Sequence, residues 1–512
     1  MIYRSAVVLL LTICLATVSA RAQRIYYSEP EREDSKRTNF DIIGKIGNNT
    51  LIFKNNRSAN EISVYDAEMK RIDRVNLNKS SKWVNVDFIP YQDYAWMIYQ
   101  YQDKNILYCM GTKINSQGKM MIDPIELDTT KIGWSANNKI YSTIFSDDKK
   151  QIMVFKINSK NPKNFVFTTL LFDDSMNLKG KQQLNMEMEE RNDYFTDFLV
   201  DNEGDMVFGK YTRKGNSDFI TDLKLIVKKQ GQSSFQTLDL RTGDKILDEI
   251  KIKVDNTNRR YLFSGFYYKQ RRGNIEGLYS VVWDKAGGGI RKETLIAFSD
   301  DLRRNAKGPD ANVRLAFNDY FIKNITIRKD GGYLMVSESM YTSTRGNAFN
   351  RWDYMGWNSP WMGGGMGGYY SPFYSPYGFG SPWNRYGYGG NQSTRFHAEN
   401  IMVISFDKDG GVEWTNIIPK TQYDDESDGL ISNTIMNTGG ELHFLFNQYE
   451  RRTLLLNDQS IGPDGKVTRH PTLKNLERGV EFMPRYGKQI SARSMIIPTQ
   501  YRNYLTFARL DF

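Results

Sequence analysis

The strongest constraint on this chain is a short motif that keeps returning: a run of aromatic, β-branched and aliphatic residues, a tight turn built on Asp or Asn and Gly, then a second run. The turns read Asn115-Ser116-Gln117-Gly118-Lys119, Asp201-Asn202-Glu203-Gly204-Asp205, Arg328-Lys329-Asp330-Gly331-Gly332, Asp407-Lys408-Asp409-Gly410-Gly411 and Gly462-Pro463-Asp464-Gly465-Lys466. Each puts Gly where a hairpin needs positive φ and an Asx side chain where the backbone needs a partner. The runs between them include Leu51-Ile52-Phe53, Gln151 to Phe155, Tyr333 to Ser337, Ile401 to Ser405 and Leu442 to Phe446. Many are apolar without alternation, which predicts strands covered on both faces. Helical periodicity is nearly absent.

These units group into blocks at 40–78, 84–128, 135–186, 195–240, 249–297, 319–419, 428–473 and 478–512. With one insertion set aside, the period is about 50 residues and four short strands, the spacing of β-propeller blades. The expected fold is therefore all-β: a single propeller over residues 23–512, of eight four-stranded blades, with seven as the alternative count. The last block lacks an outer strand, and Arg24-Ile25-Tyr26-Tyr27-Ser28 is placed to supply it and close the ring.

The stretch Ile401 to Phe406 followed by Asp407-Lys408-Asp409-Gly410-Gly411-Val412-Glu413-Trp414 resembles the repeat of secreted bacterial β-propellers, a strand followed by D-x-x-G and a tryptophan. Weaker echoes lie at Lys113 to Met121 and Asp201 to Phe208. The resemblance implies a fold only. Quinone-cofactor propellers carry a related repeat with a Thr-Gly pair before the Trp, which this chain lacks, so no cofactor is carried over.

Residues 345–396 interrupt the sixth block. Their centre, residues 351–392, is a low-complexity tract of Gly, aromatics, Ser and Pro, with a Ser-Pro-aromatic step at Ser359, Ser371, Ser375 and Ser381. It holds four of the nine tryptophans. Gly and Pro exclude regular helix or strand there, and exposed aromatic surface of this size calls for a cover. The tract can fold back on the propeller, dock on a protein, or meet sugar rings or lipid headgroups. The expected contact residues are Trp352, Trp357, Trp361, Tyr369, Tyr370, Phe373, Tyr377 and Trp383.

At the other end of the chain, Arg4, the apolar run Ser5 to Val18 and Ala20-Arg21-Ala22 read as a cleavable signal peptide over residues 1–22. The run is too short to span a bilayer as a helix. Cys14 follows Ile13 rather than a small residue, so lipidation is not expected. Loss of Arg4 and Arg21 lowers the formal charge from +10 to +8 and leaves Cys109 as the one cysteine, expected to be a buried small hydrophobe. The protein is thus expected in a periplasm, on an outer membrane or at a cell surface, without disulfides. Charges are interspersed, and no nucleic-acid motif is present.

Chemistry-bearing motifs are missing. His397, His443 and His470 have no metal-ligand spacing to one another or to cysteine. The cluster Asp424-Asp425-Glu426-Ser427-Asp428 fits no calcium loop and reads as a solvated turn. The terminal segment Tyr504 to Phe512 resembles the last strand of an outer-membrane barrel, but strands elsewhere are short and apolar on both faces. The functional expectation is a non-catalytic binding or scaffold subunit of a cell-envelope assembly, with a protein partner and with no catalytic, cofactor or metal residues. The alternative is a carbohydrate-binding or carbohydrate-active propeller whose site, assembled from several blades in the central channel, leaves no local signature.

Overall fold

The computed structural model describes residues 23–512 other than 32–37, 57–58, 78–82, 134–138, 162, 189–192, 197, 214–218, 241, 244, 271–272, 308–312, 345–346, 349–368, 371–393, 426–427, 451–452, 474–478 and 503. The expected signal peptide lies outside these residues. Strands pair antiparallel in chain order within each blade, so every blade is an up-and-down meander. Blades 1 to 8 occupy residues 39–76, 83–131, 142–187, 193–239, 246–297, 320–418, 433–469 and 480–511. One extra pair, Ile220 with Leu247, joins blades 4 and 5 into a single sheet.

Among the described residues, eight apolar cores lie between blades and settle the blade count at eight. One lies between each consecutive pair of blades: Ile43 and Phe88 between blades 1 and 2, Trp96 and Val154 between 2 and 3, Phe167 and Phe208 between 3 and 4, Leu225 and Phe263 between 4 and 5. The series continues with Phe266 and Met335, Val403 and Phe444, and Leu445 and Ile497. The eighth, with Phe40, Tyr65 and Phe507, returns from blade 8 to blade 1. Closure is completed by Arg24–Tyr27, which pairs along Ala508 to Asp511 as the outer strand of blade 8. The end of the chain is therefore a ring-closing strand, as a barrel reading would not have it.

Burial follows position in the blade. The second strand of blade 5, Arg260–Tyr268, is buried at every residue because neighbouring blades cover both faces. Outer strands such as Arg71–Asn76 and Gly289–Ala297 are largely exposed. Inner strands carry β-bulges: register shifts between Ile42 and Gly44, Trp83 and Asn85, and Ile322 and Asn324 leave Ile43, Val84 and Lys323 as the extra residues. A bulge re-aims the side chain it adds.

The turns behave as their residues require. Asp407 Oδ1 accepts from the amides of Asp409 and Gly411, both at 2.8 Å, and Gly410 sits at φ +83°. Asn115 and Asp201 bond their own turns in the same way. Because the strands alternate in direction, these turns all gather on one end of the ring. The hairpins between second and third strands gather on the other.

Candidate functional site

Blade 6 departs from the common plan. Its second and third strands, Tyr333–Thr344 and Thr394–Phe406, are 12 and 13 residues long and remain paired out to Thr344 and Thr394. The insertion therefore starts after Thr344 and ends before Thr394. Residues 394–396, expected inside it, belong to the strand, because Phe396 is buried with Phe321, Met340, Ala398 and Ile431 beneath the stem. The short strand Gln422–Asp424 pairs along Phe396 to Ala398 and broadens the base.

Side chains stiffen this stem. The Tyr341 ring stacks on His397 with centroids 4.4 Å apart and planes at 8°. The Tyr341 hydroxyl donates to Glu399 at 2.7 Å, and Ser343 Oγ lies 2.9 Å from His397 Nε2. Burial holds the His397 imidazole below its ordinary range, against the pull of Glu399. Arg395 grips Asp425 through two hydrogen bonds of 2.6 and 3.0 Å and lies 4.5 Å over the Tyr423 ring. Tyr423 and, at the equivalent end of blade 7, Tyr449 are 51% and 62% exposed.

Of the expected contact residues, Trp352, Trp357, Trp361, Phe373, Tyr377 and Trp383 lie outside the described residues. Tyr369–Tyr370, in a tract expected to carry no strand, instead forms a two-residue strand beside Ile157 and Asn158 on the second strand of blade 3, Ile152–Asn161, because neither residue is Gly or Pro and both are free to pair.

A buried ion network lies under the same stem. Glu338 and Lys420 are both inaccessible, with Oε1 and Nζ 2.8 Å apart. Glu338 Oε2 accepts from Ser432 Oγ at 2.5 Å and lies 3.7 Å from Lys323 Nζ, on the inner-strand bulge. Lys420 also donates to Ala398 O and Gln422 Oε1. Burial alone would raise the Glu338 carboxyl; the two ammonium groups outweigh it and hold it below the usual carboxylate range. Burial pushes the Lys323 ammonium down to about 8, against Glu338 and Glu249, with Arg485 and Lys420 adding to the push. Asp428, expected in a solvated acidic turn, is instead fully buried and paired with Arg485. A lone buried carboxylate is costly, and the guanidinium makes its burial tenable.

A second cluster, on blade 7, was hidden by its spacing in the chain. His443 lies on the second strand, Leu442–Glu450, opposite Ser460 on the third, Thr453–Ile461. Asp458, two residues from Ser460 and so on the same face, accepts from His443 Nδ1 at 3.0 Å. His470 follows the outer strand, and its amide donates to Asp458 O. Its ring lies 5.1 Å from that of His443, and its Nε2 is 2.8 Å from Ser460 Oγ. Glu441 Oε2, on the preceding turn, is 4.0 Å from His443 Nε2 and 3.9 Å from His470 Nε2. The Phe512 ring meets His443 edge-on at 5.0 Å, and the Gln23 amide donates to Asp458. No linear motif announces this group; only strand pairing assembles it.

Elsewhere, Cys109 is fully buried, and burial pushes its thiol well up, which disfavours the thiolate a nucleophile needs. A polar cleft of about 780 Å³ beside the helix Asp300–Lys307 is lined by Lys269, Asn274, Glu276, Arg303 and Arg304. Arg303 is committed to the carbonyls of Phe298, Ile275 and Glu276, a packing role. Among the described residues no helix is long and apolar enough to cross a membrane.

No known family's sequence model matches the chain, and no curated protein is detectably similar to it. Solved structures similar to it include the WD40 domain of SCAP from fission yeast, at 7% identity over 96% of this chain and 98% of that one, with a TM-score of 0.41. The polysaccharide lyase Uly1 is similar at 11% identity over 83% and 89%, with a TM-score of 0.38. Prolyl oligopeptidase B from Galerina marginata is similar at 8% identity over 93% of this chain and 56% of that one, with a TM-score of 0.39.

Proposed function

We propose that this protein is an exported, non-catalytic propeller that serves as a binding or scaffold subunit of a cell-envelope or surface assembly, with the segment carried by blade 6 as its contact element. The observation that carries this reading is the stem. Two strands prolonged past Glu338, locked by Tyr341, His397, Glu399 and the Arg395–Asp425 pair, flank a segment whose sequence is dense in Trp and Tyr. A stiff base lowers the ordering cost of binding, and Trp and Tyr carry the largest share of interface energy. The exposed rings of Tyr423 and Tyr449 extend the same end of the ring. The test replaces residues 349–393 by a four-residue turn. The propeller's thermal transition is expected to persist while envelope proteins no longer co-purify. Retained co-purification overturns the reading.

A second reading, a carbohydrate-binding or carbohydrate-active propeller working from the central channel, draws on Lys323. This amine of depressed basicity sits on an inner-strand bulge, near the carboxylates of Glu338 and Glu249. Reducing-sugar release from envelope polysaccharides, abolished by Lys323→Met, is the outcome that favours it; no glycan binding on an array removes it.

A further inference from the structure

We propose that Glu441, His443 and His470 form a binding site for a first-row divalent cation, with zinc the best fit to two imidazoles and a carboxylate. One donor atom from each of the three residues already lies within 4.8 Å of the other two, and Glu441 Oε2 is 4.0 Å from His443 Nε2 and 3.9 Å from His470 Nε2. A tetrahedral zinc site with ligands at about 2.0–2.1 Å places donors about 3.3 Å apart. The two Glu441 contacts, at 4.0 and 3.9 Å, must therefore shorten by about 0.6–0.7 Å, and the two imidazoles must close by no more than about 1.5 Å. Glu441 is able to supply that movement, since it stands on a turn with its side chain 43% exposed.

The surroundings are those of a metal site rather than of a chance pair of rings. Asp458 is fully buried and accepts a hydrogen bond from the Nδ1–H of His443, which fixes the tautomer and leaves the Nε2 lone pair free for a ligand. A carboxylate behind a ligating imidazole is the usual outer-shell arrangement, and it raises ligand basicity. Ser460 Oγ sits 2.8 Å from His470 Nε2; on binding, the cation takes the lone pair that the hydroxyl now faces. Two nitrogens and one oxygen exclude a preference for calcium or magnesium, which want oxygen shells. Three protein ligands leave a position open to water on the Glu441 side.

The site's place in the fold gives it a consequence. It lies on the face of blade 7 turned toward blade 8, where Phe512 packs on His443 and Gln23, just before the ring-closing strand Arg24–Tyr27, bonds Asp458. A cation held there tightens the region where the first strand meets the last blade.

The test uses the full chain, stripped with chelator and titrated with Zn²⁺ at pH 7.5 by calorimetry, with Ca²⁺ and Mg²⁺ as controls. A single tight equivalent of Zn²⁺ and a raised thermal midpoint are expected. His470→Gln and Glu441→Gln, both at partly exposed positions that leave the fold intact, should each weaken Zn²⁺ binding at least tenfold. Asp458→Asn should weaken it by about 10- to 100-fold. Absence of Zn²⁺ binding by the folded wild type, unchanged affinity in Glu441→Gln and His470→Gln, or stronger binding of Ca²⁺ than of Zn²⁺ each overturn the proposal.

Discussion

The Trp414 indole donates its Nε1–H to the carbonyl of Pro463, 3.0 Å away, and its ring occupies the space where a side chain on Gly465 would stand. A Cβ built on Gly465 comes within 2.7 Å of the ring, and the residue has φ +79°. The tryptophan belongs to the outer strand of blade 6 and the glycine to a turn of blade 7, so the Trp of one blade and the turn glycine of the next meet across a blade boundary. The same relation recurs one blade earlier, where Gly410 abuts Val282 and Lys292 of blade 5.

Gly465→Ala should therefore destabilise the protein by about 1–3 kcal/mol, partly from backbone strain and partly from the clash. In a Trp414→Ala background its cost should fall but not vanish, since the positive φ remains. A double-mutant cycle in urea measures the difference; equal cost in both backgrounds contradicts the contact.

Lys285 holds three carboxylates of the neighbouring blade's turn: Asp201 at 2.6 Å, Glu203 at 2.8 Å and Asp205 at 2.9 Å. Lys285→Ala leaves Asp201 and Asp205 largely buried and mutually repelling. The expected loss is about 3–5 kcal/mol at neutral pH. Denaturant curves of the two proteins at pH 7 measure the loss.

A chain beginning at residue 32 lacks Arg24–Tyr27 and also Glu31, which lies 2.6 Å from the buried Lys54 of blade 1. Its thermal midpoint should drop, and a synthetic peptide of residues 23–31 added in trans should restore it by strand addition. A peptide carrying Glu31→Ala should bind more weakly. Fluorescence anisotropy of the labelled peptides reports the affinities.

Lys323 gives a pH signature of defined sign. Its folded-state basicity is depressed to about 8 from 10.5, so between those values the unfolded chain binds more protons. Stability contributed through this group therefore rises with pH across that window and is lowest below it. The stability of wild type relative to Lys323→Met should shift in favour of wild type between pH 8 and pH 10. Urea midpoints of the two proteins, measured in parallel, cancel effects common to both.

Much of the architecture could be read from the chain because the information is local. An Asx–Gly turn declares a hairpin, and its recurrence declares blades. The block edges fall close to the strands observed, and Arg24 to Ser28 pairs where ring closure demanded. The count of eight over seven needed the inter-blade cores, which are long-range. Two turns escaped the pattern: Asp66 to Lys70 and Asp173 to Asn177 use the same Asx geometry with Met69 and Met176 at φ +62° and +64°. There a methionine buried in a neighbouring core offsets the left-handed strain that Gly would avoid. Buried polar groups were the least legible. Asp428 looked like solvent-facing acid until Arg485 met it, and Glu338 gave no hint of Lys420 on the far side of the insertion. His443, Asp458 and His470 are brought together by strand register alone.

The strand Arg24–Tyr27 leaves the ribosome well before its partner, Tyr504–Asp511. Until both exist, one blade keeps an open edge, and that edge does not distinguish its own missing strand from that of another copy. The tethered strand wins at low concentration because its effective concentration is high. At high concentration, two half-closed rings are expected to exchange strands into a swapped pair made of native contacts. The protein concentration during refolding is then expected to set the ratio of single rings to swapped pairs, which size-exclusion chromatography reads.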